Sequence, residues 1–263
     1  MIRTATKAAL CLAAGGLMSV PAFATGLRVT PLRLDLSGAQ NSAQMELTNF
    51  GSGAVPVQVS VASWSQTDGR DAYVPSKDIF FAPPIVSVPA GGKAIVRFRL
   101  RGTAPTDTER AYRVYFQEVA PPQPKDRGGM SFRLRLGVPL FIVPARRVAP
   151  RLDVTDSPGD GVLALDLSNP GTAHLKIHGV ELYPRDVDRE RPSGAIAMAT
   201  HSELGANYLL PGTRHRWSLK LPPSAKTGSH VLLIRTDDYS GKAAAGMTPA
   251  GWLWRPVPAK SAR

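Results

Sequence analysis

Three observations predict an all-β chain built as two sandwich domains. The 263 residues include 24 prolines and 24 glycines, which punctuate short runs rich in β-branched side chains. No stretch of 12 or more residues carries a sustained apolar stripe at helical spacing. Turn signals recur at about the spacing of an immunoglobulin-like sandwich, and the roughly 240 residues beyond a leader exceed one such unit and suit two.

The elements follow in order. Arg3 and Lys7 precede an apolar run over 8–20 and then Ala22-Phe23-Ala24, the pattern of a cleavable secretory signal cut after Ala24. The run is too short and too broken by glycine to span a bilayer. Cys11, the single cysteine, lies inside it, so the mature chain is expected to hold no thiol, disulfide or cysteine-ligated metal. Removing the signal takes two of the 32 Lys+Arg and none of the 20 Asp+Glu, which lowers the net charge from +12 to +10. Such a surface suits nucleic acid, anionic lipid or acidic protein, and secretion argues against nucleic acid.

Strands are predicted over 26–36, 43–49, 55–65, 92–100, 110–119 and 132–143, and in the second half over 151–156, 161–167, 173–183, 213–221 and 230–237. Between the halves, Val143-Pro144-Ala145-Arg146-Arg147-Val148-Ala149-Pro150 brackets a basic stretch with prolines and reads as a stiff linker; a hairpin loop inside one large sandwich is the alternative. The boundaries are then a signal at 1–24, an N-terminal domain at 25–145, a C-terminal domain at 146–250, and a Pro/Ala/basic tail at 251–263 that is expected to fray.

The most regular stretch is GGMSFRLRLGVPLFIVP, residues 128–144. Phe132, Leu134, Leu136, Val138, Leu140 and Ile142 alternate strictly, which puts all six on one side of a strand. The other side begins with Arg133 and Arg135 and turns apolar or backbone-like at Gly137, Pro139, Phe141 and Val143, so the second half suits burial on both faces. Pro139 has no N–H to give a ladder, which predicts an edge position. Such a strand is either a long piece of core or an edge left open for a partner to pair with.

Chemistry is sparse. His174 and His178 stand two pleats apart on one face, about 13 Å at roughly 3.3 Å per residue, too far to share one metal ion. They read as surface or packing residues. His201, His215 and His230 stand alone, and no G-x-S-x-G occurs. Asp237 and Asp238 are neighbours that a strand would point to opposite faces, which does not make a glycosidase pair. SPGDGV at 157–162 is followed by no helix and reads as a hairpin turn, not a phosphate cradle. No catalytic, metal, cofactor or nucleotide motif is found, so a binding protein is expected and not an enzyme. The competing readings are a secreted adhesin or carbohydrate-binding sandwich working through end loops, and a carbohydrate-active enzyme with a carboxylate pair in a cleft.

Several segments in order carry a resemblance: TPLRLDLSG at 30–38, WSQTDGRDAYVPSKDIFFAPPIVSVPAGGKAIVRFRLR at 64–101, RAYRVYFQEVAPP at 110–122, GVPLFIVP within the long strand, and YLLPGTRHRWSL at 208–219. Together they resemble the periplasmic chaperones of the chaperone-usher pathway that assist pilus assembly, in the archaic, spore-coat-U-like branch. The resemblance implies two immunoglobulin-like domains in a boomerang arrangement with a subunit cleft between them, an ATP-independent role in the periplasm, and two partners: a pilin-like subunit and an outer-membrane usher. It also implies donor-strand complementation, in which the chaperone lends a strand to a sandwich that lacks its last one. Carried over, the lending face is Met130, Phe132, Leu134 and Leu136, with Arg133 and Arg135 left wet. An exposed apolar strand of this kind further predicts a self-capping homodimer when unbound.

The resemblance places a subunit-carboxylate anchor at Arg33 of PLRLDL, where a guanidinium fork suits both carboxylate oxygens. The family's second basic position, a lysine in better-known members, aligns with Pro139, so Arg135 or another nearby base is the expected substitute. Glu109 and Asp238 match acidic positions that in such members meet an interdomain arginine. That arginine aligns with Val143 here, so a domain lock would have to recruit Arg146, Arg147 or another group. Ala82-Pro83-Pro84 resembles a family turn that carries a cis proline.

Overall fold

A computed structural model of the chain describes residues 26–119, 133–146, 153–158, 161–200, 208–223, 230–237 and 252–257. The predicted signal and the positions of Met130, Phe132, Arg147 and Asp238 lie outside the described residues.

The first sandwich is built from β1 (Leu27–Thr30), β2 (Leu34–Leu36), β3 (Ser42–Asn49), β4 (Val55–Thr67), β5 (Arg70–Pro75), β6 (Ile79–Ala82), β7 (Ile85–Val88), β8 (Lys93–Leu100), β9 (Arg110–Glu118) and β10 (Arg135–Ile142). One sheet runs β1-β3-β8-β6 and the other β2-β10-β9-β4-β5, with β7 also on β4. Alternation drives the layering: in β8, Val96, Phe98 and Leu100 are buried while Lys93, Arg97 and Arg99 face water. They meet Met45 and Leu47 of β3 and, from the opposite sheet, Val57, Val114, Phe116 and Leu140 in one core.

The strand predicted over 26–36 is in fact two. It breaks at the cis Thr30–Pro31 bond, and β1 joins one sheet while β2 crosses to the other. The Ala82–Pro83 bond is cis, as the resemblance implies. β4 and β5 form a hairpin around Asp68 (φ 50°) and Gly69 (φ 74°), the pair of left-handed residues that a tight two-residue turn between twisted strands requires.

The second sandwich comprises β11 (Asp153–Pro158), β12 (Val162–Ser168), β13 (Leu175–Pro184), β14 (Ala197–Thr200), β15 (Tyr208–Leu209), β16 (Arg214–Lys220), β17 (His230–Thr236) and β18 (Trp252–Val257). β11-β12-β16 make one sheet, and β14-β13-β17-β18, with β15 on β13, the other. Leu163, Leu165, Leu167, Ile177, Val180, Trp217, Leu232 and Ile234 fill the space between them. The tail expected to fray instead contributes β18, which pairs along β17 from His230↔Val257 to Arg235↔Trp252.

One device recurs in both sandwiches. Asn49, fully buried, donates from Nδ2 to the carbonyls of Gly53, Val88 and Pro89 and accepts the Gly51 amide at Oδ1. Asn169, equally buried, donates to Ala173 and Leu209 and accepts the Gly171 amide. Each satisfies backbone groups at a corner where the chain leaves one sheet for the other.

Candidate functional site: an open strand edge at the domain junction

β10 presents different neighbours along its length. Its even-numbered side chains face the first core: Val138, Leu140 and Ile142 are buried, and Leu136 packs half-buried against them. Its odd-numbered ones face outward and toward the second sandwich. The Arg135 guanidinium lies 4.0 Å over the Tyr115 ring, and Phe141 is fully buried in a cluster with Trp64, Tyr208 and Leu210.

Backbone groups alternate in the plane of the sheet. The Glu118 amide donates to the Leu134 carbonyl at 3.0 Å, so the even residues turn to β9; the Val143 amide donates to the Leu36 carbonyl at 2.7 Å, so the odd ones turn the other way. On that other side β2 covers only Leu140↔Leu34 to Ile142↔Leu36, in parallel. At Arg135 and Gly137, therefore, N–H and C=O face an edge with no strand opposite among the described residues. Pro139, the last residue before β2 begins, has no N–H to leave unpaired, as the edge reading required. Gly137 also makes room: a Cβ there would stand 3.3 Å from Tyr115 Cε1 and 3.4 Å from Arg113 Cδ. Arg113, opposite Pro139 on β9, uses that room to lay its guanidinium 4.1 Å over Trp64.

Of the expected lending face, Leu134 and Leu136 are described and half-buried. Arg33, level with Pro139 and just before β2, does hold a carboxylate, but an internal one. It forks onto Asp35, Nη2 to Oδ2 2.7 Å and Nε to Oδ1 3.0 Å, and its Nη1 stands 3.8 Å from Asp237 of the second sandwich. Asp237 in turn binds His178 Nε2 at 2.6 Å. Arg135 lies four residues from the level of Arg33, roughly 13 Å along the strand. The two are not brought together, which removes Arg135 as a co-anchor in this arrangement.

The domain lock uses His174, which the sequence offers only as a surface or packing residue. Glu109 and His174, both almost wholly buried, are joined by a hydrogen bond between Oε1 and Nδ1 at 2.7 Å; the His174 amide donates to the same oxygen at 3.1 Å, and the Glu109 amide donates to the Thr172 carbonyl at 2.9 Å. The His174 ring stacks on Phe141, centroids 3.7 Å apart and 9° from parallel. Histidine thus stands where arginine was sought. Arg146 instead is tied by its amide to the Thr106 carbonyl.

Gln66, near the tip of the β4–β5 hairpin, completes the junction. Its Nε2 donates to the Tyr208 carbonyl, and its Oε1 accepts from the Leu210 amide and the Thr213 hydroxyl, all within 2.9–3.0 Å. Burial pushes the Tyr208 hydroxyl above its ordinary pKa of 10; the negative charge of Asp237 adds to this, while Arg33 and Arg113 oppose it. All three charges therefore bear on one floor.

At the hairpin tip, a Cβ on Gly69 would meet His215 Nδ1 at 3.1 Å, so the turn touches the second sandwich closely. Burial there lowers the His215 pKa below 6.5, with Asp71 opposing. The unfolded chain therefore binds the proton more readily. Stability should hold constant above about pH 7, fall as the pH drops through 6.5, and level off below the folded pKa. Urea midpoints between pH 7.5 and 5 check this: a His215→Phe variant should lose that part of the slope, and an unchanged slope would remove His215 as its source.

Comparison with known proteins gives the following. Residues 26–147 match the family described as pili and flagellar-assembly chaperone, PapD N-terminal domain. No curated protein matches the sequence. A chain of the CsuC–CsuE chaperone–tip adhesion subunit pre-assembly complex, from the archaic chaperone-usher Csu pili of Acinetobacter baumannii, superposes with a TM-score of 0.55 at 18% identity, over 80% of this chain and 93% of its own. A chain of the Salmonella enterica SafA pilin–SafB chaperone complex gives 0.57 at 16%, over 89% and 97%. The CupB2 chaperone of Pseudomonas aeruginosa gives 0.52 at 15%, over 88% and 100%. At these identities the likeness is one of fold.

Proposed function

We propose that the chain, whose residues 26–147 match the pili and flagellar-assembly chaperones, is a chaperone of the chaperone-usher pathway that holds a pilin-like subunit by donor-strand complementation. The observation that carries this reading is the open edge of β10 at Arg135 and Gly137, beside apolar side chains at Leu134 and Leu136 that its own core leaves half-exposed. A sandwich lacking its last strand has the complementary defect: an unpaired edge and an empty apolar groove. The full lending face is Met130, Phe132, Leu134 and Leu136, and Arg33 at the end of the edge receives the subunit's carboxylate by exchanging it for Asp35. The protein works in the periplasm after loss of residues 1–24, hands the subunit to an outer-membrane usher, and covers its own edge as a homodimer when unloaded. No observation favours the adhesin or carbohydrate-binding alternative.

Co-expression with a secreted pilin tests the reading. The tagged chain should retain a pilin that lacks its final strand and should not retain the same pilin once a donor strand is fused to it in cis. Equal retention of both forms would show that strand donation is not the basis of capture.

A further inference from the structure

We propose that His174, although it belongs to the second sandwich, is a positioning residue for β10, so that docking of the two domains and placement of the open edge are one event. His174 grips two adjacent strands near the same end of their ladder. Its ring covers Phe141 of β10, and its Nδ1 and backbone amide hold Glu109, the residue immediately before β9. In the β9–β10 ladder, Phe141 lies opposite Ala111 and Ile142 opposite Arg110, so the grip on Glu109 falls two residues beyond the level of the grip on Phe141. Phe141 also lies opposite Asp35 in the parallel pairing that ends the open edge. Tyr208 closes the cluster, its ring centroid 5.6 Å from His174 and 5.9 Å from Phe141. A side chain stacked on His174 and packed against Trp64 and Tyr208 cannot change rotamer without opening the junction, and its backbone is fixed with it. Releasing the stack lets the β2–β10 end fray, and the open edge then has no fixed limit.

The consequence for subunit capture rests on the donor-strand reading; the coupling itself does not, and native-state hydrogen exchange separates the two. The Val143 amide, bonded to the Leu36 carbonyl, reports on the β2–β10 end; the Glu109 amide, bonded to the Thr172 carbonyl, reports on docking. Val114 of β9 serves as the core reference. His174→Asn keeps an N–H near Glu109 and removes the ring, so Val143 exchange should rise about tenfold with Val114 unchanged. His174→Phe keeps the stack and removes the donor, so Glu109 exchange should rise more than Val143 exchange. Phe141→Leu removes the stack from the other strand and should reproduce the Val143 signal even if either His174 variant folds poorly. Wild-type protection of Val143 in folded Phe141→Leu or His174→Asn overturns the proposal. An accelerated Val143 amide in a chain that captures no pilin would sink the donor-strand reading and leave the positioning role standing.

Discussion

Changing Leu134 and Leu136 together to glutamate should reduce pilin capture at least 100-fold while the chain still folds. Each apolar side chain seated in a groove stabilises the complex by about 1.5–3 kcal/mol, and a carboxylate forced into the same groove adds its own desolvation cost. Two such losses exceed the ~2.7 kcal/mol that 100-fold represents. The cost to the free protein is smaller, since both residues are only half-buried, although Leu136 packs on the first core. Titrating the immobilised variant with purified pilin measures the first quantity, and thermal unfolding the second. Retention within threefold of wild type by a variant that melts normally would take the lending face away from these positions. The same pair of changes at Met130 and Phe132 extends the test to the rest of the face.

Glu109→Ala should be the most destabilising polar change at the junction, about 3–5 kcal/mol, because it removes one half of a buried hydrogen-bonded pair and leaves His174 without its acceptor. Glu109→Gln should cost much less, as the amide oxygen still accepts from the His174 backbone and can accept from its ring. Denaturant unfolding of both variants, with Glu109→Ala/His174→Ala to close the cycle, reads the coupling directly. The double variant should be less damaged than the two single losses added together. A Glu109→Ala cost below ~0.5 kcal/mol would mean that the pair contributes nothing to docking.

The strands legible in the sequence were long apolar runs, alternating as in β8 or continuous as in β17. β8 and β10 alternate so regularly that their inward side chains could be named in advance. β5 escaped because every residue from Arg70 to Pro75 is exposed, so no period marks it, and β6, β7, β14 and β15 are too short for alternation to register. β18 was hidden by a composition typical of tails: Pro256 and Arg255 disguise a strand that depends on β17 to exist. At the site, the apolar alternation and Pro139 pointed to an edge, but its extent could not be read. It is set by a three-residue parallel partner about 100 residues earlier in the chain. That His174 packs could be read from the sequence, but its part in the domain lock could not, for a similar reason. A lone histidine carries no periodic signal, and its two partners come from Glu109 and Phe141 of the other sandwich.

The way β2 stops at Leu34 also makes the edge a ruler. An incoming segment that pairs from the Leu134 end can advance only until it meets β2, so its last paired residue is set by this chain and not by the segment. Side chains alternate with a period of two, and a slip of one residue would turn every apolar group of the guest away from the groove and every polar one into it. A hard stop at one end is the simplest guard against that error. On the donor-strand reading, guests of different sequence would all meet the same stop.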